Sequence, residues 1–241
     1  MNTGEAARRT AKAIGDLPAN FMLDSATYET GNSLGFDGLD FYVVGRGGTL
    51  GPVDAAIVNA VFVFFNPAMI RERWERGLKV MSAAKAAQAF AGCLHDWCDR
   101  HLAPDVDYPR LAELAGAVVS AANPAGAPLF AGWLTLSEPE EPAALALHRI
   151  NGLRELRGAL HGAAVLSTGL DPLVALLVKT PFMARIFGWP EPHPDVELAR
   201  EAWQAAEAAT NHAMGRSFMV LTESERSEIA ELLDAVHSGV H

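Results

Sequence analysis

Residues 147–166, LHRINGLRELRGALHGAAVL, constrain the fold of this chain more than any other stretch. Leucine and isoleucine recur there at helical spacing and no proline interrupts them. That pattern predicts a helix with one face turned into a core. At roughly 100° per residue, Leu147, Ile150, Leu153, Leu156, Leu160 and Ala164 form one broad apolar face. Arg157 falls inside it, and Arg154 and His161 lie along one flank. His148, Gly152, Glu155, Ala159 and Gly162 occupy the opposite side. A guanidinium withdrawn from water loses several kcal/mol of solvation, so it requires an internal acid or an anionic ligand. Two readings stay open: the arginines pair with buried acids or snorkel to a rim, or they line a pocket for an anion.

The rest of the chain reads as helix after helix. Half of its 241 residues are hydrophobic and only 8% are aromatic, and abundant alanine favours close-packed helices over strands. The spacing predicts a short amphipathic helix over 3–17, a loop over 25–40 and a turn at GRGGTLGP, 45–52. An almost wholly apolar helix is expected over 53–65, opened by Pro52, in the core centre or a dimer interface. It falls short of the about 20 residues that a bilayer requires. A charged helix over 70–102, broken near Gly77, precedes a helix over 109–123 and a proline-rich connection over 124–142. The helix containing the quoted stretch spans 142–167, and another spans 171–188. The last part reads helix, turn, short strand at 217–221, then a helix opened by the capping box of Thr222 and Glu225. The expected fold is mainly α: a multi-helix bundle with at most one β-hairpin. Its expected division is a helical domain over 1–185 and a small winged-helix-like unit over 186–241.

Charge narrows the classes of partner. The formal net charge is -10, which disfavours phosphate backbones and anionic lipid. From Phe182 onward there are four basic and ten acidic residues, so the would-be recognition helix over 195–210 offers little to release DNA counterions. Two cysteines are too few for a secreted disulfide framework, and the amino terminus has no apolar run behind Arg8 and Arg9. A soluble, cytoplasmic protein with no membrane partner is expected. GRGGTLG lacks the Lys-Ser/Thr ending of a phosphate loop. In CLHDWCDRH, Cys93 and Cys98 diverge on a helix and only His95 with Asp99 shares a face, so no metal site is assigned.

Three stretches, LHRINGLRELRGALHGAAV, FYVVGRGGTLG and NAVFVFFNPAMI, resemble a family of actinobacterial helical proteins of about this length. Its members are usually described with a winged-helix, MarR-like carboxy-terminal region and have no settled activity. The matching positions are His148, Arg154, Glu155, Arg157, Gly158 and His161, with Gly45, Arg46, Leu50 and Gly51 upstream. Leu156 stands where the family has histidine and Leu160 where it has glycine, so an activity that needs that histidine is in doubt here.

The expected function is a small-molecule binding protein or enzyme whose helical pocket holds an anionic or polar-aromatic ligand. Arg157 anchors the ligand and His161, one turn on, serves as the acid–base group. His148 and Glu155 are further acid–base candidates. Arg46 closes the rim, Arg154 assists, and Tyr42, Phe62, Phe65 and Trp74 supply an aromatic wall. Two alternatives are carried: a ligand-responsive winged-helix transcription regulator, and a haem-binding protein with His148 or His161 as axial ligand. A homodimer joined through apolar helices is expected. The sequence leaves ligand identity and reaction open.

Overall fold

The computed structural model describes residues 1–240, and these contain thirteen α-helices and no strand. Side-chain caps explain where several of the helices begin. The Asn2 side chain accepts the Glu5 amide and opens α1 (Thr3–Leu23), and Asp24 accepts the Ala26 amide and opens α2 (Ser25–Ser33). α3 (Asp40–Gly47) runs into a 3-10 turn over Gly48–Leu50, and α4 (Ala55–Val61) follows. Asn66 caps α5 (Pro67–Gly77), whose first residue is proline, where a missing N–H costs nothing. α6 (Ala83–His101) is followed by α7 (Tyr108–Ala121), capped by Asp107, and by α8 (Pro128–Trp133). α9 (Pro142–Ser167) is the longest helix, and Asp171 with Pro172 opens α10 (Pro172–Lys179). After α11 (Met183–Ile186) and α12 (Arg200–Gly215), the reciprocal Thr222–Glu225 box starts α13 (Glu223–Ser238).

α9 is the axis of the bundle. α6, α7, α8, α1 and α12 all pack against it, and α10 touches its far end. Both sides of its wheel are therefore covered: the leucine face is buried, and so are His148, Gly152, Glu155 and Gly162 on the other side. α13 packs on α1 and α7, and Arg110 of α7 bonds to both Glu225 and Glu228. Arg226 is buried and donates to the carbonyls of Met1, Phe218 and Leu221.

The structure corrects several sequence expectations. The first helix continues through Pro18 to Leu23, and the expected loop over 25–40 holds α2. In GRGGTLGP the first glycines end a helix instead of making a turn. They allow close approach: a Cβ on Gly45 would lie 2.6 Å from Phe90 Cβ, and one on Gly48 would lie 2.2 Å from the Ala83 carbonyl oxygen. The apolar segment 53–65 yields only the short α4 and is not central, because Val58, Phe62 and Phe65 are buried while Ile57 is exposed. The break after Gly77 is present; the connection 124–142 contains α8, and Thr180 and Pro181 split 171–188 into α10 and α11. Residues Ser217–Val220 form a 3-10 turn where a strand was expected. Among the described residues, no single helix is long and apolar enough to cross a membrane.

Candidate functional site

The second half of α9 carries its charge inward. Glu155 is 3% exposed and receives two guanidinium groups. Arg46, in the last turn of α3, places Nε and Nη2 each 2.8 Å from one carboxylate oxygen. Arg154 donates from Nη1 to the same carboxylate at 3.0 Å. The Arg46 guanidinium lies 4.6 Å from the Phe62 ring centroid and donates to the Tyr42 hydroxyl at 3.2 Å, so aromatic packing fixes its direction. Burial pushes the Glu155 carboxyl up, but the two arginines more than offset this and hold it below its usual range. Burial likewise disfavours the Arg46 charge, and Glu155 with Tyr42 overcomes it, so Arg46 stays protonated.

One turn further on, the partners come from α12. Arg157 is 16% exposed and donates from Nη2 to Glu207 Oε2 at 2.9 Å and to Asn211 Oδ1 at 3.3 Å. Its Nε is buried without an acceptor. His161 Nδ1 lies 3.2 Å from Glu207 Oε1 and 3.1 Å from Thr210 Oγ1. Burial lowers the His161 pKa, Glu207 raises it and Arg157 lowers it; the net shift is downward. Lys179, the last residue of α10, places its ammonium 5.5 Å from the Trp203 ring centroid. It makes no ion pair with any described carboxylate.

These groups surround a cavity of about 370 Å³. Arg46, Arg154, Arg157 and Lys179 supply positive charge, and Tyr42, Phe65, Phe187 and Trp203 supply aromatic wall. Glu207 and Asp16 are its acids, and Asp16 is already paired with Lys12 and His237 at the rim. A small apolar annex of about 60 Å³, lined by Met22, Leu39 and Ile186, opens beside Tyr42, Phe65 and Arg154. A second cavity of about 230 Å³ also borders Arg46 and Glu155, between Phe62 and the α9 residues Gly158 and Gly162. The Arg46–Glu155 pair thus stands in the partition between the two.

Of the residues singled out from sequence, Arg46, Arg154, Arg157, His161, Tyr42 and Phe65 meet at the large cavity. Glu155 lies beneath them as counter-ion, with both carboxylate oxygens occupied. Phe62 supports Arg46 and faces the second cavity. His148 and Trp74 line neither cavity. His148 is 2% exposed, its Nδ1 is 3.3 Å from His95 Nε2, and its ring sits 4.8 Å from Trp133. Burial pushes its pKa down to about 4, so it stays neutral and enclosed. Trp74 is a core ring whose Nε1 donates to the Val53 carbonyl at 3.1 Å.

The sequence reading missed Lys179, Phe187, Trp203, Glu207 and Asn211, all from the last third of the chain. One signal existed: Thr210 interrupts the buried stripe Ala206, Thr210 and Met214 of α12. A polar group on an apolar face marks a polar partner opposite.

No curated protein and no solved structure matches this chain significantly. A helix-turn-helix family matches residues 7–241. With an all-helical body, a short turn between its last two long helices and a match over nearly its whole length, the chain belongs to that helix-turn-helix family.

Proposed function

We propose that the chain is a small-molecule binding protein on a helix-turn-helix scaffold, and that its large cavity takes a small organic anion. One observation carries this reading: four cationic side chains converge on one cavity of a protein whose net charge is -10. Only Glu155 and Glu207 are available to balance them, since Asp16 is already paired with Lys12 and hydrogen-bonded to His237. Arg154 shares its carboxylate with Arg46, and Lys179 has none. An anionic guest balances this excess positive charge, part of it half-buried on Arg154 and part exposed on Lys179, and the aromatic wall favours one with an apolar body. Calorimetric titration with 3-phenylpropionate and its neutral amide tests the reading. The acid is expected to bind at least tenfold more tightly; equal affinity, or no binding of either, refutes it.

Family membership favours a second reading, in which the cavity belongs to a ligand-responsive transcription regulator. The electrostatics of α13 argue against that helix as the DNA reader. Its one arginine is buried on backbone carbonyls, while Glu223, Glu231 and Asp234 are exposed. Fluorescence anisotropy with duplex DNA over a salt series separates the readings, because a regulator's affinity falls steeply with salt. Measurable, salt-sensitive binding that changes on adding the acid favours the regulator; none favours a binding protein alone.

A further inference from the structure

His161 is the cavity-lining group whose protonation the surrounding geometry fixes most tightly. Its Nδ1 faces two oxygens, Glu207 Oε1 at 3.2 Å and Thr210 Oγ1 at 3.1 Å. A carboxylate oxygen can only accept. Thr210 is fully buried, and its hydroxyl proton is directed to the Ala206 carbonyl at 2.7 Å, so toward His161 it presents a lone pair. Both neighbours therefore demand a proton on Nδ1. In the neutral ring Nε2 is left as an acceptor.

That acceptor has no protein donor. Nε2 makes no hydrogen bond and is not enclosed, and the imidazole forms part of the wall of the large cavity. Phe64 lies 5.5 Å and Trp203 6.5 Å from the imidazole between ring centroids, so the ring sits among aromatic side chains. Arg157 projects from the preceding turn of α9, its Cβ about 5–6 Å from that of His161 by helix geometry. Lys179 also lines the cavity, against Trp203.

We propose that the ligand is an aromatic organic acid that also carries a hydroxyl donor. The hydroxyl donates to His161 Nε2, the anionic group is taken by the arginine and lysine cluster, and the ring lies among the aromatic side chains. This rests on the anion-binding reading above and adds the donor requirement. A ligand that fills the cavity displaces water from this acceptor, so a guest without a donor at that point leaves it unpaired.

Three probes of one scaffold test it by calorimetry: 3-phenylpropionate, its 4-hydroxy derivative and its 4-methoxy derivative. The methoxy compound keeps the oxygen and removes the donor. The expected result is hydroxy-acid affinity at least tenfold above both others in the wild type, with the gap below twofold in His161→Phe. Nitrogen-15 spectra of the wild-type imidazole give an independent readout that needs no variant, and are expected to show the proton on Nδ1. Equal binding of all three acids overturns the donor requirement while leaving the anion site standing. A gap that persists in His161→Phe, or a proton found on Nε2, also overturns it. If none of the acids binds, the anion-binding reading falls and this inference falls with it.

Discussion

The two halves of α9 are one helix with two kinds of neighbour. In residues 142–153 the buried ionisable group is His148, closed in by Trp133 and His95 and driven toward neutrality by burial. In residues 154–165 two arginines and a histidine meet carboxylates and open onto a cavity. Charge survives burial only where a counter-charge is built in, so Glu155 and Glu207, more than the arginines, separate a site from a core. Where no such partner exists, the helix is packed like any other.

The largest expected effect removes that counter-charge. Glu155→Gln leaves Arg46 and Arg154 without an anion in a buried setting, and a loss of about 3–5 kcal/mol is expected. Chemical denaturation measures it, and a loss under about 1 kcal/mol would mean the guanidiniums find water instead.

Acid sharpens the contrast from the other half. His148 titrates near 6.5 when unfolded and at about 4 when folded. Between those values the unfolded chain binds more protons, so stability falls as pH drops through this window. The two and a half units correspond to up to about 3 kcal/mol. His148→Phe should flatten this part of the stability–pH curve relative to wild type; parallel curves from pH 7 to pH 4 would show that the imidazole is hydrated in the folded state.

The smallest effects concern binding. Arg157→Ala and Lys179→Ala are each expected to weaken 3-phenylpropionate about tenfold, or about 1.4 kcal/mol, while His148→Phe leaves the affinity unchanged. Equal losses in all three would erase the distinction between the halves of α9.

The sequence made one half of this site legible and hid the other. The wheel of 147–165 puts Arg157 on the leucine face and Arg154 on its flank, which leaves open snorkelling to a rim, an internal acid or an anionic ligand. It cannot find the acids that settle the matter, because Glu207 is fifty residues away from Arg157. The helices were readable from apolar period and capping residues, as at Thr222 and Glu225. The failures have a common cause. Glycines that permit close helix contact, at Gly45 and Gly48, resemble glycines that make turns, and only the packed partner distinguishes them. Likewise, segment 53–65 is apolar because it lines a cavity and covers Arg46, not because it is central.

Indole resonances followed during titration with 3-phenylpropionate give the most direct test of ligand position. Of the five tryptophans, Trp203 lines the large cavity and Trp133 is buried against His148. The account predicts a saturable movement of the Trp203 signal while the Trp133 signal stays fixed. Movement of Trp133 with Trp203 unmoved, or no saturable change in either, would contradict it.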